Sequence, residues 1–204
     1  IYTVGGLVGL AGGGASDCTL NLTLDCSGAS GTNIAVGGLF GNEITGENLP
    51  VEFDNCLVSG TVKGAQVKSA TSGVLTKLGR SFLGGIGGNT NATLATNTLI
   101  QNCKSFCTIV PFAASSIKDE IYYTGGAFGA HQNSVMIAKD CGSYGNISYT
   151  VTPSTALSSD GGAYFVGSFA GASTNDDNYP DTAHNGNVAT NNTDLNFIGF
   201  IGKI

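Results

Sequence analysis

Two short motifs, VGGLVG at Val4–Gly9 and DCTLNLTL at Asp17–Leu24, occur one after the other and decide the fold of this chain. The first, called here the glycine motif, recurs at Val36–Gly41, Leu83–Gly88, Thr124–Gly129 and Val166–Gly171, with a degenerate sixth copy at Phe197–Gly202. The second, called here the Asx motif, recurs at Asn55–Val62, Asn102–Ile109, Asp140–Ile147 and Asp181–Val188. Such self-similarity is the signature of a repeat protein. The sequence therefore predicts five repeats, at about 4–35, 36–82, 83–123, 124–165 and 166–196, and a terminal strand at 197–204.

Alternation along the Asx motif predicts a β-strand with one buried face. The positions of Cys18, Leu20 and Leu24 are mostly small or aliphatic in the five copies, whereas the position of Thr23 is always Thr or Asn. A period of two residues is typical of a half-buried strand. One repeat cannot bury its own apolar face, so equivalent strands should stack in parallel. We expect an all-β fold, a parallel β-solenoid (β-helix) of about five coils in a single domain, with surface insertions between the strands.

The glycine motif predicts a strand that is apolar on both faces, and such strands are usually covered on both. Either the insertions or a neighbouring subunit or domain would supply the second cover. The glycines would let another backbone approach closely, so the predicted packing positions are Gly5, Gly6, Gly37, Gly38, Gly84, Gly85, Gly125 and Gly126.

Composition excludes several classes of function. The net charge is −6 and Arg80 is the only arginine, whereas a protein that tracks nucleic-acid phosphates needs clustered Lys and Arg. No apolar run is long enough to cross a bilayer as a helix. The chain starts at Ile1 without a leader, so we expect a mature or excised segment.

The pairing of GGLxG with [ND]CxxxGx[IVL] resembles the GLUG repeat of bacterial surface adhesins and IgA-peptidase-like secreted proteins. The resemblance extends over essentially the whole chain, although the long insertions and Thr182 in place of the fifth cysteine depart from it. It implies an extracellular or cell-surface repeat region, usually part of a larger protein. It implies no catalytic residues, because the motif is structural.

Four of the six cysteines, Cys18, Cys56, Cys103 and Cys141, occupy one inward position of the Asx motif. Free cysteine packs as a small hydrophobic residue, which makes a buried ladder the favoured interpretation. Parallel side chains suit a disulfide badly. Six cysteines allow 15 pairings, and the sequence does not choose among them. Zinc is disfavoured because there is no CxxC pair.

Two acidic sets offer alternatives to a purely structural role. Asp140 and Asp181 take equivalent positions in adjacent repeats, and carboxylates about 5 Å apart serve retaining glycosidases. The same position holds Asp17, Asn55 and Asn102, so a turn-capping ladder is favoured and no catalytic residue is expected. Asp176, Asp177 and Asp181 carry oxygen ligands suited to calcium, but lack a calcium-loop spacing. No cofactor is expected.

The predicted function is an extracellular structural or adhesive repeat protein, a surface stalk or a filament-forming subunit. The alternative is a carbohydrate-active β-helix enzyme acting on polysaccharide. Expected partners are copies of the same chain stacked head-to-tail or flanking repeats, with glycans or a host surface as adhesion targets. As a glycoprotein, the chain would carry sugars at the sequons Asn21, Asn91, Asn146 and Asn191, a number that chance alone accounts for.

Overall fold

The chain folds into short β-strands. The computed structural model describes residues 2–43, 50–72, 75–77, 79–90, 98–113, 120–132, 136–148, 163–174 and 196–198. These segments contain no helix, and hence none that is long and apolar enough to cross a membrane. In chain order the strands are β1 (Tyr2–Gly5), β2 (Val8–Ala11), β3 (Ala15–Ser16), β4 (Thr19–Asp25), β5 (Ser30–Gly31), β6 (Asn33–Gly37), β7 (Phe40–Glu43), β8 (Glu52–Asp54), β9 (Leu57–Lys63), β10 (Gln66–Val67), β11 (Ala70–Ser72), β12 (Leu75–Lys77), β13 (Gly79–Gly84), β14 (Gly87–Thr90), β15 (Thr98–Gln101), β16 (Lys104–Val110), β17 (Glu120–Gly125), β18 (Phe128–Gln132), β19 (Met136–Lys139), β20 (Gly142–Ser143), β21 (Ala163–Gly167), β22 (Ala170–Thr174) and β23 (Asn196–Ile198).

Four parallel sheets collect the equivalent strands of successive repeats. Sheet A has the order β1-β6-β13-β17-β21, sheet B β2-β7-β14-β18-β22, sheet C β3-β8-β15-β19-β23 and sheet D β4-β9-β16-β20. Every neighbouring pair in these sheets is parallel. The predicted all-β fold with parallel stacking is therefore confirmed, and the arrangement is consistent with a β-helix.

The glycine motif is not one strand, and the prediction that it was is wrong. In the first repeat β1 ends at Gly5, Gly6 and Leu7 form a turn, and β2 begins at Val8. The later copies divide in the same way between sheets A and B. Consecutive glycines favour a turn. The motif therefore has apolar residues at both odd and even positions because the chain changes direction within it. As a result, Val36, Leu39 and Phe40 all reach the same core.

The terminal copy of the glycine motif also differs from its prediction. Phe197 lies in β23, where it pairs with Ala138 of sheet C rather than with a strand of sheet A. The same register position holds Phe53 and Ile100, both buried.

The middle strands of sheet A, β6, β13 and β17, are buried on both faces by this chain. Val36 and Leu83 belong to the main core on one side. Phe82 and Tyr123 belong to a second, smaller buried cluster, where their rings stack with centroids 5.2 Å apart. The sequence left open whether this chain or a neighbouring subunit or domain covers the second face. Residues of this chain cover it in these strands.

Residues Lys63–Arg80, which make the second repeat longer than the first, add strands beside the four sheets. Within this segment, β10 pairs in parallel with β5, and β11 pairs with β12 in an antiparallel hairpin.

Candidate functional site

At each glycine turn, called here the glycine corner, the backbones of sheets A and B are in direct contact. A Cβ added at Gly37 would overlap the carbonyl oxygen of Phe40 and lie 2.5 Å from the amide nitrogen of Gly88. A Cβ added at Gly88 would lie 2.6 Å from the amide nitrogen of Val36. These distances leave no room for a side chain. The first and last glycines of the motif thus permit one sheet to lie against the other.

The second glycine of the motif faces the Asx motif across the core. A Cβ at Gly38 would overlap the carbonyl oxygen of Gly85 and lie 2.8 Å from Cγ1 of Val58. One repeat further on, a Cβ at Gly85 would overlap the Ser105 hydroxyl. Since Val58 and Ser105 are inward positions of sheet D, the two motifs pack against each other.

The turn from sheet C to sheet D, called here the Asx corner, holds the first residue of each Asx motif in the left-handed region. The φ angles are 55° at Asp17, 50° at Asn55, 54° at Asn102 and 52° at Asp140. Among side-chain-bearing residues, Asn and Asp enter this region most readily. The sequence predicted an Asx turn at this position, and the backbone conformation is its physical reason.

Side chains at the Asx corner connect successive repeats. The Asn55 amide donates a hydrogen bond to Asp17 Oδ1 at 2.7 Å, and the Asn102 amide donates one to Asp54 Oδ1 at 2.9 Å. The backbone amide of Asn55 also donates to the carbonyl oxygen of Gln101, at 3.1 Å. Asp140 occupies the same kind of turn, while its supposed partner Asp181 lies outside the described residues.

The column of Cys18, Cys56, Cys103 and Cys141 lies just after the Asx corner. All four are free thiols; Cys18 is half-buried and the other three are buried. Each donates through Sγ to a main-chain carbonyl oxygen, as Cys141 does to Ile100 at 3.3 Å. Neighbouring thiols of the column also influence each other's pKa.

The cysteine environments suppress thiolates at most positions. The hydrogen bond with Cys141, together with burial, raises the pKa of Cys103, while the same hydrogen bond lowers the pKa of Cys141. Burial raises the pKa of Cys56, and also that of Cys26 and Cys107, which lie outside the column. The buried thiols whose pKa is raised, which are all of them except Cys141, are therefore poor nucleophiles at neutral pH, since only the thiolate reacts.

Phe106 and Tyr144 form an exposed aromatic pair on the outer face of sheet D. Their rings stack with centroids 5.0 Å apart, and the residues are 45% and 37% exposed. The preceding residues of the same face, Lys104 and Gly142, pair directly. Sequence reasoning missed this pair, although both residues stand at an outward position of the Asx motif.

The first repeat exposes apolar side chains that its successors bury. Tyr2 is 61% exposed, and Leu7 and Leu10 are also exposed. Leu39 and Ile86, which take the place of Leu7 in the next two repeats, are fully buried. Among the described strands, β1, β2, β3 and β4 have a partner on one side only.

The remaining predicted sites divide between exposed positions and undescribed ones. Asn21 and Asn146 are exposed beside sheet D, which leaves both sequons accessible. Asn91, Asn191 and the calcium candidates Asp176, Asp177 and Asp181 lie outside the described residues. In the described part of the chain, no group of three or more His, Cys, Asp or Glu side chains is arranged to hold a metal ion.

A shallow groove on sheet C is lined by Ser16, Glu52, Asp54 and Gln101. It places two carboxylates on the same face of β8.

No known protein family, curated protein or solved structure matches this chain.

Proposed function

We propose that this chain is an extracellular structural and adhesive repeat protein, a surface stalk or a filament-forming subunit. In this proposal the parallel sheets close into a β-solenoid of about five coils, and further coils add at its ends. The resemblance of the two motifs to the GLUG repeat supports the assignment to the cell surface. The packing of glycine and Asx corners supports a role in which the repeats themselves are the functional structure.

The exposed edge formed by the first repeat carries this proposal. Leu7 lies at a position that is fully buried in the second and third repeats, which have a repeat stacked before them as well as after them. A further set of strands, added to β1–β4 in the same register, would bury Leu7, Leu10 and Tyr2 in the same way. Unpaired strand edges template such additions, and a contact between the two different ends of a molecule produces a filament unless it closes into a ring.

Electron microscopy of the native material, with light scattering on the 204-residue chain, tests the proposal. We expect filaments, or a continuous stalk, whose axial repeat matches the height of the stacked strands. Leu7→Lys with Leu10→Lys should abolish association, because charges on the edge cannot be buried. Thr61→Lys, at the equivalent outward position of the inner strand β9, is the matched control and should leave association intact. Discrete particles in the native material, or association insensitive to the edge substitutions, would contradict the proposal.

Adhesion requires an exposed contact surface, and the Phe106–Tyr144 pair on sheet D is our candidate. The flat apolar rings suit the C–H face of a sugar ring. Lys104 and Thr108 lie two residues from Phe106 on β16, at positions of the same face, and their ammonium and hydroxyl groups suit the hydroxyl groups of a sugar. Polysaccharide pull-down with Phe106→Ala and Tyr144→Ala should show loss of binding, with Thr19→Ala, an exposed residue of β4, as the control. Equal binding by all variants would remove this surface from the proposal.

The alternative, a carbohydrate-active enzyme, is favoured by one observation, the groove with Glu52 and Asp54. Asp54 already accepts a hydrogen bond from Asn102, and this gives its carboxylate a role in the Asx corner. Turnover of a polysaccharide panel by Glu52→Ala, and by Asp140→Ala combined with Asp181→Ala, separates the two functions. Activity that either variant abolishes would favour the enzyme.

A further inference from the structure

The four-cysteine column holds its thiols at a regular spacing along a continuous hydrogen-bonded ladder. The residue after each of the last three cysteines donates its backbone N–H to the backbone carbonyl oxygen of the cysteine in the preceding repeat. These N···O distances are 2.8 Å for Leu57 to Cys18, 2.8 Å for Lys104 to Cys56 and 3.0 Å for Gly142 to Cys103. Parallel strands paired in this way are about 4.8 Å apart. The side chains point the same way, since all four follow the same Asx corner.

This arrangement is unsuitable for the two usual products of cysteine chemistry. A disulfide needs Cβ atoms about 3.8 Å apart and directed at each other, whereas neighbouring column residues are parallel and one strand spacing apart. A structural zinc site needs four ligands around one point, and a linear column cannot supply them. Within the described residues no third or fourth ligand of another type completes such a set.

A linear, two-coordinate ion fits the column instead. With a metal–thiolate bond of about 2.3 Å, a linear sulfur–metal–sulfur unit is about 4.6 Å long, close to the strand spacing. Soft ions select sulfur ligands, and Cu(I) is a soft ion that accepts two ligands in a line. We propose that the cysteine column binds soft, two-coordinate ions of the Cu(I) class, two per chain, one between Cys18 and Cys56 and one between Cys103 and Cys141.

Binding needs an entry point and a destination for the thiol protons. Cys18 is half-buried at the edge of sheet D, so its pair is the one that ions reach first. Each monovalent ion forms two metal–sulfur bonds as two S–H bonds break, and the two protons pass to solvent. The oxidation states of the metal and of sulfur do not change, so the step requires no oxidant or reductant.

Anaerobic titration of the whole 204-residue chain with Cu(I), in competition with the chelator bathocuproine disulfonate, tests the proposal. We expect two tightly bound ions in the unsubstituted chain and X-ray absorption showing two sulfur neighbours in a line. Cys56→Ser and Cys103→Ser should each retain one ion, because each leaves one pair intact. The double variant should retain none, because Cys18 and Cys141 are too far apart to share an ion. Zn²⁺ should not compete.

Cys107→Ser is the matched control, since Cys107 is equally buried but lies outside the column, and it should retain both ions. A measurement on the unsubstituted chain covers the case in which a column variant does not fold. Cu(I) should there slow alkylation of Cys18 and leave Cys26 unaffected. Loss of copper in Cys107→Ser, unchanged stoichiometry in the double variant, or equal protection of Cys26 would overturn the proposal.

Discussion

The two corners reach the same close packing by opposite chemical means. At the glycine corner the sheets approach because side chains are absent, as the Gly37 and Gly88 backbones show. At the Asx corner the turn depends on side chains that are present, because Asn55 and Asn102 accept a left-handed backbone and donate hydrogen bonds to neighbouring repeats. The glycine corner tolerates no enlargement, whereas each Asx residue contributes a limited, replaceable interaction. The two motifs should therefore respond very differently to substitution.

The largest expected effect follows from enlarging the glycine corner. Gly37→Val would drive a side chain into the backbone of sheet B, so we expect a cost above about 4 kcal/mol and loss of the folded state. Gly28→Val is the control, since a Cβ at Gly28 meets no atom within 4 Å. Circular dichroism and thermal denaturation measure both. Cooperative unfolding of Gly37→Val at the same temperature as the control would contradict the packing described for this corner.

A smaller effect is expected where the two corners share the core. The Phe40 ring, next to the glycine corner, stacks on the Phe53 ring, just before the Asx corner, with centroids 5.0 Å apart. Phe53→Ala leaves a cavity that the paired strands cannot close, and should cost about 3 kcal/mol. Phe53→Leu should cost clearly less. Chemical denaturation of the two variants checks the order, and equal stabilities would show that this stack does not couple the corners.

Asn55 tests the Asx corner directly. Asn55→Ala loses the hydrogen bond to Asp17 and forces alanine into the left-handed region, so we expect a cost of about 2 kcal/mol. Asn55→Gly loses the same bond but adopts this φ freely, and should recover about half of that cost. Denaturation midpoints give the comparison. If glycine proved as damaging as alanine, backbone conformation would not be what the corner requires.

The smallest effect concerns an ion pair far from both corners. Lys63 Nζ lies 2.7 Å from Asp25 Oδ2 on exposed sheet D, and this hydrogen bond, with others from Ser27, lowers the pKa of Asp25 from 3.8 to about 2. A lowered folded-state pKa stabilises the protein above pH 3.8, and this contribution is lost as the pH falls through 2.

Lys63→Ala should raise the Asp25 pKa toward 3.8 in an NMR titration, with little change in stability at neutral pH. Lys68→Ala, which removes another lysine charge, is the control and should leave the Asp25 pKa where it is.

The Asx motif was the part of the fold that the sequence predicted best. Its alternation gave the inward positions of sheet D, and the register pairs Leu20 with Val58, and Ser105 with Val58 and Ser143, as the alignment of repeats requires. Period-two patterns are informative here because one face is buried and the other is solvated.

The glycine corner was harder to predict because its residues are divided between two strands, so buried and exposed positions do not alternate along the motif. The apolar positions before and after Gly37–Gly38 suggested a two-faced strand, and only the consecutive glycines indicated a turn. The placement of Phe197 depended on strand pairing rather than on local pattern, because FIGFIG matches the glycine motif in sequence, whereas Asn196–Ile198 pairs in sheet C. The exposed Phe106–Tyr144 pair stands at an outward position of the Asx motif, so the alternation of that motif was enough to identify it.

Hydrogen exchange measured by mass spectrometry, on native material and on the dispersed chain, tests the central claim that repeats stack through the edge of the first repeat. We predict that amides of β1, β2 and β4 exchange quickly in the dispersed chain and become protected in the native material. Amides of the inner strands β9 and β16 should be protected equally in both. Unchanged exchange in the first repeat, or new protection confined to the outer face of sheet D, would contradict the account.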